Sequence, residues 1–267
     1  MPAVTKTKYR VDATWQDVPH LSPEIQSALL EGTPEHMRDA RSKGMPTPGE
    51  GKIFTTPEET IRSEPFVVPS QWPGILGLDF GWDHPAAVVL LRIDRDAGVV
   101  YITNGYKATR ASPIQLWDAV RTWAQGWPCA WPRDGLNETQ QGGGDALRNQ
   151  YAKAGFTMLP KHAQFEPAPG KETGSVSVES GIMLMQQMFR QGQLKVFASV
   201  GDFWPEYRVY HRKNVNGVSK IVKLQEDMIS AVRYALMMQR YARTRIIRHN
   251  DMVNNLPFGI LDELIGY

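Results

Sequence analysis

Two apolar runs, Gly74-Ile-Leu-Gly-Leu78 and Ala86 to Ile93, flank a short polar stretch containing Asp79, Gly81, Asp83, His84 and Pro85. The pattern predicts a strand ending in Asp79, a tight reversal, and a second strand from Ala86. Val99 to Thr103 with Tyr106 to Ala108 supplies a third strand, completing an antiparallel meander. Ser112-Pro113-Ile114-Gln115 is a capping box with proline at the first helical position. Ile114, Leu116, Trp117, Val120 and Trp123 form the apolar stripe of the helix that follows. Trp127 to Asp134 then reads as a short strand that again ends in an aspartate. A Gly142–Gly144 turn leads to a helix through Leu147, Tyr151 and Ala154, and to a strand over Gly155 to Pro160. Lys161 to Ser175 is polar and proline-bearing, a long loop of the kind that often carries function. Val178, Ile182, Met185, Met188 and Phe189 mark an amphipathic helix whose methionines read as core packing, followed by a strand at Leu194 to Ala198. A short helix starts at Gly201.

Asn216-Gly217, between Arg208–Lys213 and Val218–Leu224, predicts a β-hairpin with a type I′ turn. It carries Arg208, His211, Arg212, Lys213, Lys220 and Lys223, with Tyr207 and Tyr210 interleaved. Such a ribbon reads either as a grip on a nucleic-acid backbone or as a solvated hairpin. The helix that begins Gln225-Glu226-Asp227 has Ala231 and Ala235 four and eight residues beyond Asp227. Small residues on that face allow close approach to the sheet and would carry Asp227 inward; the alternative is an acid that only complements the helix dipole.

The first 66 residues lack this alternation. Ser22-Pro23 and Thr33-Pro34 predict two short helices, near Glu24 to Glu31 and Glu35 to Lys43, before a Pro- and Gly-rich stretch that leans on a neighbour. The expected organisation is an arm over 1–66, a main domain over 67–243 and a tail over 244–267. Composition then narrows the classes. At 267 residues, 42% hydrophobic and 22% charged, the chain is an ordinary globular one, and a net charge of +2 excludes a broadly basic DNA coat. One cysteine, Cys129, excludes intramolecular disulfides and Cys-rich zinc sites. No apolar run reaches the roughly 18 residues of a membrane span. Pro48-Gly-Glu-Gly51-Lys52 lacks the spacing and hydroxyl of a P-loop.

The acids carry the chemistry. Asp79 alone reads equally as a turn-closing side chain or as a site residue. With the fourth strand parallel beside the first, Asp79 and Asp134 converge at one sheet edge, and Asp227 arrives from the last helix. Clustered carboxylates repel, and divalent cations relieve the repulsion; oxygen ligands favour Mg²⁺ or Mn²⁺ over Zn²⁺. Two ions about 4 Å apart would activate water and stabilise a leaving oxygen in attack on phosphate. Asp83 and Glu226 are candidate accessory ligands. His84 reads as a turn residue or as a group that orients water or phosphate.

The order of three antiparallel strands, helix, strand, helix, strand, with acids at these points, resembles the ribonuclease H and resolvase-like superfamily. Within it the sequence is most similar to the C-terminal nuclease domain of tailed-bacteriophage terminase large subunits. The resemblance rests on Ala13–His20 with Glu35–Gly44, on Gly77-Leu-Asp79-Phe-Gly81 with His84-Pro85, on Ser177–Ile182, on Tyr207–Lys213 and on Glu226–Ala235. It implies an α/β fold with a mixed central sheet flanked by helices and an auxiliary hairpin. It also implies a metal-dependent endonuclease that cuts concatemeric viral double-stranded DNA during packaging, in the host bacterial cytoplasm, with Asp79, Asp134 and Asp227 as metal ligands. The hairpin would lie near the DNA path, and a terminase small subunit and the portal or procapsid would be partners. The family's ATP-driven motor domain would precede the arm and is absent from this sequence, so a separated nuclease half is expected. Two rivals are a non-catalytic DNA-binding or capsid-docking module on the same fold, and an actin-like ATPase, which would need a second phosphate loop that the sequence lacks.

Overall fold

The computed structural model describes residues 14, 15, 21–31, 42, 51–138, 144–215, 218–222 and 226–245. Strand β2 (Gly74–Asp79) lies in the interior of the sheet and is buried except at its last residue. It pairs antiparallel with β3 (Ala86–Asp94), which pairs antiparallel with β4 (Val99–Ala108), with a register shift at Leu90/Leu91. β3 is apolar on both faces over Ala86 to Leu91 because helices cover both faces there. On the far side of β2, β5 (Pro128–Ala130) runs parallel, with Gly77 beside Ala130, and β6 (Thr157–Met158) follows parallel to β5. β7 (Leu194–Phe197) lies parallel to β4, and β1 (Arg62–Ser63) parallel to β7. The sheet order is therefore β1-β7-β4-β3-β2-β5-β6. This is the predicted mixed sheet, with the fourth strand of the meander series parallel beside the first.

One face is closed by α3 (Pro113–Ala124) and α4 (Leu147–Ala154), through Leu116, Val120, Trp127, Tyr151 and Phe156 against Leu76, Leu78, Val88 and Leu90. α3 begins as the sequence predicts: Ser112 Oγ accepts from Gln115 N–H, and Gln115 Oε1 accepts from Ser112 N–H. Ile114, placed in the apolar stripe from sequence, instead points outward; Leu116 and Val120 carry the burial. The other face is closed by α5 (Val178–Arg190), α6 (Phe203–Val209) and α7 (Asp227–Met237). Met185 and Met188 are in this core, as expected. Among the described residues, the short helices α1 (Pro23–Glu31) and α2 (Glu58–Ile61) precede the sheet.

Residues 51–63, read as part of an arm that leans on a neighbour, pack on the main body: Ile53, Phe54 and Ile61 are core residues, and Phe54 stacks on Tyr207. Two expectations are corrected. The hairpin is shorter at its start, because Trp204 and Tyr207, three apart, share one face of a helix Phe203–Val209 and are both buried there, where a strand would turn them to opposite faces. The ribbon is β8 (Arg212–Val215) paired with β9 (Val218–Ile221), so Tyr207 and Tyr210 are core residues rather than surface aromatics. β5 stops at Ala130, where Trp131 turns its ring inward to donate to the Leu159 carbonyl and Pro132 offers no N–H for a ladder. Asp134 consequently sits in a 3₁₀ turn, Arg133–Leu136, past the strand. The helix expected near Glu35 to Lys43, the turn type at Asn216-Gly217, Lys223 and residues 246–267 lie outside the described residues. Among the described residues no helix is long and apolar enough to cross a membrane.

Candidate active site

Side chains alternate along β2, so Ile75, Gly77 and Asp79 share the face toward α7. Gly77 is what lets the helix in. A Cβ there would lie 1.9 Å from the Ala231 carbonyl oxygen and 3.0 Å from Ala235 Cβ. The alanines on α7 and the glycine on β2 thus bring helix and strand together, and the first turn of α7 carries Asp227, 8% exposed, toward the end of β2. Gly81 tightens the reversal after Asp79, since a Cβ there would collide with the His84 and Pro85 carbonyls at 2.4 Å. The turn holding Asp134 is seated by Gly135, over which Trp131 and Phe80 pack closely enough that a Cβ would lie 2.5 and 2.8 Å from them. Phe80 follows Asp79 directly, so the two acid-bearing segments are clamped to one another.

The electrostatics record this convergence. Burial pushes the Asp79 carboxyl up to about 8; Arg233 opposes the shift, and Asp227, Glu226 and Asp134 add to it. Asp227 is raised chiefly by burial, with Lys107 and, more weakly, its own backbone N–H and His84 pulling it back. Asp79 therefore feels Asp227, Glu226 and Asp134 at one end of the sheet. Among the described residues, no three His, Cys, Asp or Glu side chains stand close enough to hold a metal ion. The acids approach without forming a ready coordination shell. Their chemistry nevertheless fits a hard divalent cation, because carboxylate oxygens are hard donors.

The accessory candidates separate. Glu226 is the residue before α7 and engages the Tyr210 hydroxyl. Asp83 projects into solvent, 3.9 Å from Arg110 Nε. His84 is exposed in the same turn. The cations expected to grip DNA also separate. Arg208 lies in α6 and makes a two-pronged pair with Glu58, at 2.6 and 2.8 Å. Arg212 does the same with Glu179, at 2.9 and 2.5 Å. His211 Nδ1 lies 2.7 Å from the Val209 carbonyl oxygen. Lys213 and Lys220 are exposed and stand opposite one another across the ribbon.

Sequence reasoning missed Lys107, Glu206, Arg233 and Tyr234. Arg233 is buried in α7, and its aliphatic stem occupies the space left by Gly181 of α5, where a Cβ would lie 2.6 Å from Arg233 Cγ and Cδ. Tyr234, seven residues after Asp227 on the same helical face, has its hydroxyl pushed up to about 12, first by burial and then by Asp79. An arginine between apolar neighbours on the buried stretch of a helix was the available signal for Arg233.

A mixed sheet of this order, flanked by helices on both faces and carrying a separate two-stranded ribbon, defines a ribonuclease H-like domain. The sequence profile of the Terminase RNaseH-like domain family matches residues 76–239, and the chain belongs to that family. It is 43% identical over 239 residues to the terminase large subunit of Salmonella phage P22, covering 90% of this chain and 46% of that protein. Against the large subunit of Enterobacteria phage LP7 it is 42% identical over 235 residues, covering 88% and 47%. The chain thus spans about half the length of these relatives. The solved P22 large terminase nuclease domain superposes with a TM-score of 0.65 at 44% identity, covering 73% of this chain and 96% of that one. A large terminase from a thermophilic bacteriophage, 14% identical with a TM-score of 0.54 and covering 85% of this chain and 53% of that one, shares the fold.

Proposed function

We propose that this chain is a divalent-metal-dependent endonuclease that cleaves concatemeric viral double-stranded DNA during genome packaging. The observation that supports the reading is the electrostatic influence of Asp134 and Asp227 on Asp79, in a chain 44% identical to a terminase nuclease domain. Asp79, Asp134 and Asp227 would hold Mg²⁺ or Mn²⁺, two ions in the fullest form, with Glu226 within reach of the cluster and Asp83 and His84 at its rim. Bound there, the metal would supply an activated water and charge stabilisation on the leaving oxygen. The chain's own part is to fix the carboxylates: Gly77 seats α7 on β2, and Phe80 with Trp131 seats the Asp134 turn. Lys213 and Lys220, exposed on the ribbon, would contact DNA phosphates, with Arg212, His211 and Lys223 as further candidates. Arg208, engaged by Glu58, would contribute least. A terminase small subunit and the portal or procapsid are the partners this reading implies, in the cytoplasm of the bacterial host.

Plasmid cleavage with Mg²⁺ or Mn²⁺ tests the reading, using the intact chain beside Asp79→Asn, Asp134→Asn and Asp227→Asn. Cleavage lost in all three supports the site. Undiminished cleavage in the variants overturns it, and binding of duplex DNA without cleavage by the intact chain points to a docking module instead.

A further inference from the structure

Asp79 stands opposite Ala87 across β2 and β3, and Ala87 stands opposite Lys107 across β3 and β4. The three residues form one row across adjacent strands on the face covered by α7, with the core residue Ala87 between the charged ends of the row. Lys107 does not point its ammonium at Asp79. Its Nζ donates to Glu206 Oε1 at 2.7 Å, and Glu206, 1% exposed, is fixed on α6 beside the core residues Phe203 and Tyr207. The other oxygen of the same carboxylate accepts from the backbone N–H groups of Met228 and Ile229, at 2.8 and 3.2 Å.

Those two N–H groups belong to the first turn of α7, where a helix has no partners of its own for its leading donors. No side chain of the residue before the helix caps it; Glu206 does so from another element. Gly105, two residues before Lys107 on β4, admits Met228 beneath that turn, because a Cβ there would lie 2.4 Å from Met228 Cε. β4 therefore holds the start of α7 twice, by packing at Gly105 and by the chain of bonds Lys107 to Glu206 to Met228. Asp227 is the residue between Glu226 and Met228, so its place over the sheet edge follows from theirs.

We infer that Lys107 is a positioning residue of the carboxylate site: by anchoring Glu206 it fixes the first turn of α7, and with it Asp227, relative to Asp79. The inference rests on the reading of the three aspartates as metal ligands. It makes a prediction opposite in sign to that of charge alone. Removing a positive charge near a cation site strengthens cation binding by Coulomb's law. Releasing Asp227 from its place weakens it, and supporting contacts of this kind are worth roughly 10- to 100-fold in metal affinity.

The test is calorimetric titration of the intact chain with Mn²⁺, without DNA, for the unaltered protein, Lys107→Met, Lys107→Arg and the double variant Lys107→Met with Glu206→Gln. The double variant leaves no buried carboxylate without its partner, so it guards against loss of fold, which a thermal melt of each protein checks. Positioning predicts about 10-fold weaker Mn²⁺ binding in Lys107→Met and in the double variant, with most of the loss recovered in Lys107→Arg. The Mn²⁺ concentration for half-maximal plasmid cleavage should move in parallel. Tighter binding in Lys107→Met with an unchanged double variant, or no change in either, overturns the inference and leaves the metal site standing. An unaltered protein that binds no Mn²⁺ overturns both.

Discussion

The acid-bearing edge and the β8–β9 ribbon are built on opposite plans. At the edge, close approach decides position: Gly77 under α7, Gly135 under Trp131 and Phe80, Gly81 in its turn. Each glycine marks a close approach that no side chain could share. The ribbon stands as its own two-stranded sheet, joined to the body through the main-chain bond of Arg212 N–H to the Gly51 carbonyl and the Arg212–Glu179 pair. Its exposed lysines face one another at a register position where like charges repel. The lesson is one of tolerance: the segments that carry the acids are held by close backbone contacts, whereas groups that would meet a polyanion need only reach it.

The contrast is broken most severely at the edge. Asp79→Asn and Asp227→Asn should each lower plasmid cleavage by more than the roughly 100-fold that outer partners of metal sites are worth, with the folded state retained in circular dichroism. Gly77→Ala should come next, because its methyl meets the Ala231 backbone rather than a side chain that can move. A destabilisation of about 3 kcal/mol or more is expected, measured by urea unfolding, with cleavage falling alongside. An unchanged unfolding midpoint would mean that α7 is not pressed against β2.

A third expectation concerns pH in the absence of metal. Asp79 and Glu206 carry pKa values raised to about 8 and about 7. The folded chain therefore keeps protons on them that the unfolded chain has released above about pH 4 to 5. Their contribution to stability is full below that range and is lost as pH rises through about 7 and about 8. Thermal melts in EDTA should fall between pH 5 and pH 8.5; Glu206→Gln removes the lower part of the slope, and Asp79→Asn the upper. A flat profile would mean that neither carboxyl is desolvated in the folded chain.

The smallest structural effect is expected on the ribbon. Lys213→Ala with Lys220→Ala should leave stability within about 0.5 kcal/mol. Duplex DNA binding should weaken, with the slope of log K against log salt reduced by about 0.9 for each phosphate no longer neutralised. Arg212→Ala should change binding less than either lysine, because its guanidinium is already engaged by Glu179. An unaltered salt slope in the lysine double variant would route the DNA elsewhere.

The fold was legible because its signals are local and periodic: the meander of β2 to β4, the capping box at Ser112 and the stripe of α5 each declare themselves within a dozen residues. Asp79 and Asp227 could be placed from the face each occupies on a strand or helix. Asp134 was expected at a strand end, whereas it follows the strand by a turn that Trp131 and Pro132 create. Lys107, Glu206 and Arg233 were hidden because their roles arise only between elements. Lys107 meets Glu206 across 99 residues, and no window along the chain contains both. The helical fate of Arg208 was hidden for the same reason, its partner Glu58 lying 150 residues earlier.

The parallel seat of β1 on β7, with Ile53, Phe54 and Ile61 beneath it, bears on where this protein can be cut. A gene fragment trimmed to the family-matched span, residues 76–239, would bare the edge of β7 and vacate core positions of which Phe54 alone is worth about 3–5 kcal/mol. An unpaired strand beside an emptied core is a template for self-association. An expressible unit therefore begins at or before residue 51, and fragments begun at residue 67 or 76 should be recovered as aggregates.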